Sequence, residues 1–94
     1  MKDARIISPS DVRLYYFGSK DVLISSTEQE TRKRKLQRAV QINNDDRTPV
    51  NLYIKLPNGE TLEMRSDCLE FSDDFVIIKG GFSIPVQAIV DVDA

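Results

Sequence analysis

Tyr53 stands between Asn51 and Lys55 on the polar side of an alternating segment, with Val50, Leu52 and Ile54 on the other side. A flat ring between an amide and a cation suits stacking on a nucleobase, a contact worth about 1–3 kcal/mol per base. The same ring suits packing against the N-terminal segment or a neighbouring subunit equally well. Arg32-Lys33-Arg34-Lys35, with Arg38 following, is the one concentrated run of positive charge. Arg32, Lys33 and Arg34 could track phosphates, with an affinity that falls as salt rises. Their other reading is a solvated helix face laced to Glu28 and Glu30.

The composition closes off most catalysis. The chain has 94 residues, no histidine and one cysteine, Cys68. Ser-His-Asp and Cys-His chemistry, His-ligated zinc and the commonest general base near neutral pH are therefore absent. A single cysteine forms neither an internal disulfide nor a zinc cluster. Asp73-Asp74 and Asp91-Val92-Asp93 lack calcium-loop spacing and read as solvated strand ends. Gly80-Gly81 has neither the lysine nor the helix of a phosphate loop. The expectation is a non-enzyme with no cofactor and no metal.

Charge is divided unevenly along the chain. Residues 1–47 hold ten Lys/Arg against seven Asp/Glu, and residues 48–94 hold three against eight. An acidic second half argues against wholesale DNA binding, but a local basic element could still grip phosphates. No run approaches the ~18 apolar residues of a membrane span. The opening MKDARIISPSD lacks the apolar core of a secretory signal, which makes the cytoplasm the expected compartment.

The elements that must position these residues follow from periodicity. Residues 1–26 read as an arm. Within it Val12, Leu14 and Tyr16 alternate, Gly18-Ser19-Lys20-Asp21 supplies turn chemistry, and Val22-Leu23-Ile24 follows, a pattern that fits a β-hairpin or a helix-like docking segment. Residues 26–42 are the best helix, with Ser26 and Gln29 placed for a capping box. Leu36, Ala39 and Val40 give an apolar stripe only in its second half. The first half should therefore project into solvent while the second docks. Asn43-Asn44-Asp45-Asp46 ends the helix, and Pro49 reinforces the break. Strands are expected at 50–56, 60–65, 68–71 with 74–79, and 82–92 with an interruption near Pro85. Asn58-Gly59 between alternating segments is a strong hairpin signal. Phe75-Val76-Ile77-Ile78 is apolar on both faces, as is much of Pro85–Val92, so both faces need cover. Together these segments predict a mainly β domain over 27–94: a helix followed by a small, strongly bent antiparallel barrel of five strands.

The order of helix, Pro-led strand, Asn-Gly turn, bent strands and a last short-turn strand resembles the Sm-like fold. "RTPVNLYI", "NG", "DDFVIIK" and "QAIVDV" are most similar to the bacterial Hfq branch of that family, over about residues 36–93. The resemblance implies a hexameric ring in which strands of neighbouring copies pair at their edges, binding single-stranded RNA on both faces. It places Phe75 as the ring that stacks U-rich RNA on the helix face. Tyr53 would stack A-rich RNA on the opposite face, and Arg47 would lie in a rim patch. The family's Lys-His pair is replaced by Val86-Gln87, where Gln87 could hydrogen-bond a base edge or simply serve the turn. The glycine of the family's bent second strand is missing, with Leu62-Glu63-Met64 in its place. The first 26 residues have no counterpart and could contact another protein.

Two functional expectations result. One is an Hfq-like ring that holds RNA by stacking and phosphate contacts. The other is an SH3-like barrel that serves as a protein-interaction module or assembly subunit and binds no nucleic acid.

Overall fold

The computed structural model describes residues 3–93. Met1, Lys2 and Ala94, included in the arm and barrel expectations, lie outside the described residues. The elements in chain order are β1 (Arg5–Ile6), a 3-10 turn (Pro9–Leu14), α1 (Ser26–Asp46), β2 (Val50–Lys55) and β3 (Thr61–Ser66). They continue with β4 (Cys68–Phe71), β5 (Phe75–Ile78), β6 (Ser83–Pro85), a second 3-10 turn (Val86–Ala88) and β7 (Ile89–Asp93).

These strands form two sheets and not the expected five-stranded barrel. One sheet has four strands in the order β1-β3-β2-β7, and the other has three in the order β4-β5-β6. Among the described residues no ladder joins β6 to β7, so the sheets do not close on each other. The chain passes between sheets at Asp67, the single residue separating β3 from β4. No glycine lies between Gly59 and Gly80 to let one strand coil continuously through that bend.

The β2–β3 hairpin follows the alternation. Val50 pairs with Ser66, Leu52 with Met64 and Ile54 with Leu62. Val50, Leu52, Ile54, Leu62 and Met64 all point into the core. Gly59 closes the connecting turn at φ 89°, a conformation that side chains disfavour. In β7 the register slips by one residue beside Tyr53 and Ile54, so Tyr53 faces Asp91 and Ile54 faces Ile89.

The arm is not a hairpin. Pro9 opens a 3-10 turn whose entry is fixed by the Ser8 N–H donating to Asp11 Oδ2 at 3.1 Å. Ile6 and its neighbour Arg5 add a parallel edge to β3, and Ile7 and Val12 are buried in the common core. The arm is thus part of the domain, tied down at both ends: Ile7 N–H donates to Glu63 O and Val22 N–H to Gln87 O, each at 2.9 Å.

Helix α1 is capped by Ser25, whose side chain accepts from Thr27 N–H, rather than by Ser26. Gln29 instead donates from its side chain to Leu23 O at 2.7 Å. Asn43–Asp46 does not end the helix, which runs on to Asp46. Arg47 ends it in the left-handed conformation at φ 55°, donating its N–H to Asn43 O. The helix packs on β4 and β7, with Leu36 and Ala39 fully enclosed. Its first half is mostly exposed, as expected, but it is anchored at one point. Arg32 is buried there because the arm supplies it with a carboxylate, Asp21.

Candidate interaction surface

Three of the seven side chains expected to meet RNA, Arg32, Lys33 and Gln87, have side-chain partners elsewhere in the molecule. Arg32 donates from Nη1 to Asp21 Oδ1 and from Nη2 to Asp21 Oδ2, both at 2.7 Å, and Nη1 also reaches Ile89 O at 3.1 Å. Its side chain is 6% exposed, which puts it out of reach of a phosphate. Burial by itself would raise the Asp21 carboxyl. Hydrogen bonds from Arg32 and the Leu23 N–H, together with the Arg32 charge, hold it below its usual value instead. Lys33 lies 3.8 Å from Asp73 on the surface, and Lys35 donates to Asp91 at 2.8 Å. Each of these pairs ties α1 to a strand or turn of the sheets.

Gln87 sits in the Val86–Ala88 turn and is half-buried. Its Nε2 donates to Gly18 O at 3.1 Å, so its amide holds the arm.

Tyr53 lies on the outer face of the four-stranded sheet, directly opposite Glu63 on one side and Asp91 on the other. Its phenol is pushed up from the usual tyrosine value, first by desolvation and then by Glu63, Asp93 and Asp91. A base stacked on this ring would bring its phosphate toward carboxylates, which repel it.

Arg34, Arg38 and Arg47 are exposed and form no ion pair among the described residues. They lie along α1 and at its C-terminal cap.

Phe75 is placed differently from the rest. It opens β5 and is 47% exposed. Val76 and Ile78 turn into the core, and Ile77 is half-buried on the other side of the strand with Phe75. That second face borders a groove of about 840 Å³ between the C-terminal half of α1 and the three-stranded sheet. Val40 and Asn44 line it from the helix, and Glu70, Phe71, Ile77 and Ser83 from the strands. The two apolar faces of Phe75–Ile78 were the sequence signal for this groove. What the periodicity did not reveal is that α1 covers that face only in part.

Val40, Phe71, Phe75 and Ile77 give the groove apolar walls, and Asn44, Ser72, Ser83 and the exposed carboxylate of Glu70 complete its lining. Asp73 and Asp74 are exposed in the turn that precedes Phe75, with Asp73 paired to Lys33. An apolar side chain accompanied by a cation suits such a lining. Among the described residues no group of three or more His, Cys, Asp or Glu is arranged to hold a metal. No helix among them is long and apolar enough to cross a membrane. Cys68 is buried in the core, its thiol pushed up to about 11 by burial and then by Asp67, which suits packing and not nucleophilic chemistry.

No family model, curated protein or solved structure matches the chain.

Proposed function

We propose that this chain is a non-catalytic protein-interaction module, a subunit of a larger assembly, whose working surface is the groove beside Phe75. One observation carries the reading. The groove leaves the Phe75 ring open beside Phe71, Ile77 and the carboxylate of Glu70, while Arg32, Lys33 and Gln87 already have partners within the chain. A second reading, a hexameric ring holding A-rich or U-rich single-stranded RNA, draws support from the exposed Phe75 and from Arg34 and Arg47.

A gel-shift series separates the two. Oligo-A and oligo-U are titrated with the protein from low to physiological salt. The interaction module gives no shift at any salt concentration. Retarded RNA whose affinity falls steeply with added salt overturns the proposal in favour of the RNA ring.

A further inference from the structure

Among the described residues, the exposed large apolar side chains fall in two places. Phe75 is at the groove, and Ile6, Leu14, Tyr16 and Ile24 are all on the arm. Leu14 is 72% exposed and Tyr16 is 77% exposed, although the Tyr15 between them packs partly against the core. Tyr15 has extended backbone, φ −113° and ψ 148°. Extended geometry sends its two neighbours to the opposite side from Tyr15. Leu14 and Tyr16 therefore stand together as an exposed apolar pair, with Tyr16 bordering the Pro57–Gly59 turn of its own chain.

The charges of the two places are opposite. Arg13 directly precedes the pair and Lys20 follows it, both exposed and without an ion-pair partner among the described residues. Glu70 lines the groove and is exposed, and Asp73 and Asp74 lie in the turn that leads into Phe75. No arm residue lines the groove of its own chain. The arm is held elsewhere, by Ile7 on β3 and by Val22 on the Val86–Ala88 turn.

We infer that the groove receives the arm of a second copy of this chain, with Leu14 and Tyr16 on Phe75 and Phe71 and with Arg13 facing Glu70. This rests on the reading of the chain as a protein-interaction module and names its partner. Different surfaces of the two copies meet, so the contact is heterologous. Repetition of it gives a closed ring or an open filament according to the rotation between copies.

The test is light scattering coupled to size exclusion on the full chain, from about 1 µM to about 500 µM. The mass of the wild-type protein rises above one copy across this range. Leu14→Ser/Tyr16→Ser, which spoils only the arm, and Phe75→Ser, which spoils only the groove, each raise the dissociation constant at least ~10-fold. All three positions are exposed, and circular dichroism melts confirm that the variants fold. Mixing the two variants supplies one good groove and one good arm, and the mixture forms a dimer that neither variant forms alone. Arg13→Glu and Glu70→Lys each weaken assembly, and combining them in one chain restores it.

A wild-type protein of single-copy mass throughout overturns the inference but leaves the interaction-module reading in place with another partner. Variants that assemble like wild type also overturn it and point to pairing of free strand edges. A mixture that fails to dimerise does the same. RNA retardation in the gel-shift series overturns the interaction-module reading itself, so the two failures are told apart.

Discussion

Arg32 and Asp21 make a two-pronged ion pair, Nη1 to Oδ1 and Nη2 to Oδ2 at 2.7 Å each, across eleven residues of chain. This pair joins the second turn of α1 to the end of the arm. It also anchors a stretch of helix that has no apolar residues and is otherwise largely exposed. Arg32 has 6% of its side chain exposed and Asp21 27%, so the charges meet in a partly dry setting.

Asp21→Asn leaves the guanidinium buried without a counter-charge and is expected to cost about 2–3 kcal/mol, below the ~3–5 kcal/mol of a fully buried pair because Asp21 is 27% exposed. Urea denaturation measures it. Combining Asp21→Asn with Arg32→Met costs less than the two single losses together, because no buried charge is stranded. A loss within about 0.5 kcal/mol for Asp21→Asn would show the pair to be no more than a surface contact.

The same pair sets an acid limit. The Asp21 carboxyl lies below its ordinary 3.8 in the folded protein, so the unfolded chain binds that proton more tightly. Its contribution is complete above 3.8 and drains away as the pH falls from there through the folded value. Urea midpoints of the wild type should fall over that acidic range by more than those of Asp21→Asn. Parallel curves for the two proteins would remove Asp21 as the source.

Cys68 is 1% exposed, and its thiol is pushed up to about 11 by burial and then by Asp67. At about pH 8 almost none of it is thiolate, and reagents cannot reach it without an opening of the fold. Labelling by a thiol-specific reagent should follow global unfolding, with a rate that rises in step with added urea. Rapid stoichiometric labelling in native buffer would contradict this burial.

Local pattern made some of this molecule legible. The alternation through Val50, Leu52 and Ile54, with Asn58-Gly59 after it, specified the β2–β3 hairpin and its buried face. The two-faced apolarity of Phe75–Ile78 pointed to a surface in need of cover. What periodicity missed depends on distant parts of the chain. Asp21 draws Arg32 inward from another segment. Gly18 accepts from Gln87 across 69 positions. Glu63 and Asp91 reach Tyr53 only through strand pairing. The arm departs from strand geometry for a nearer reason. Val12, Leu14 and Tyr16 alternate like a strand, but Ser8-Pro9 with Asp11 at the third position is a turn-starting pattern and it prevails. Barrel closure depends on whether two strand edges meet, and spacing does not encode that.

Arg47 ends α1 at φ 55°, a region where a side chain costs about 1 kcal/mol relative to glycine. Among the described residues its one hydrogen bond runs from its backbone N–H to Asn43 O, and glycine keeps it. Arg47→Gly should therefore stabilise the fold by about 0.5–1 kcal/mol in urea denaturation. If Arg47 is instead a phosphate contact of an RNA surface, the variant would weaken RNA retardation. In the proposed module there is no retardation to weaken. A destabilised Arg47→Gly would mean that the arginine side chain makes a contact outweighing its backbone strain.

Gln87 separates the two functional readings with the least disturbance. Its amide nitrogen donates to Gly18 O at 3.1 Å, and its backbone oxygen accepts from Val22 N–H at 2.9 Å. Gln87→Glu keeps the size of the side chain and the backbone contact but removes the donor. The loss should be about 1 kcal/mol of stability, with amide exchange around Gly18 quickened as the arm opens. Hydrogen exchange read residue by residue checks it. A base ligand would behave the other way: exchange at Gly18 would stay as it was, and the deficit would appear only when RNA is added. The change at Gly18 is expected because the amide has one observed acceptor, and that acceptor belongs to the arm.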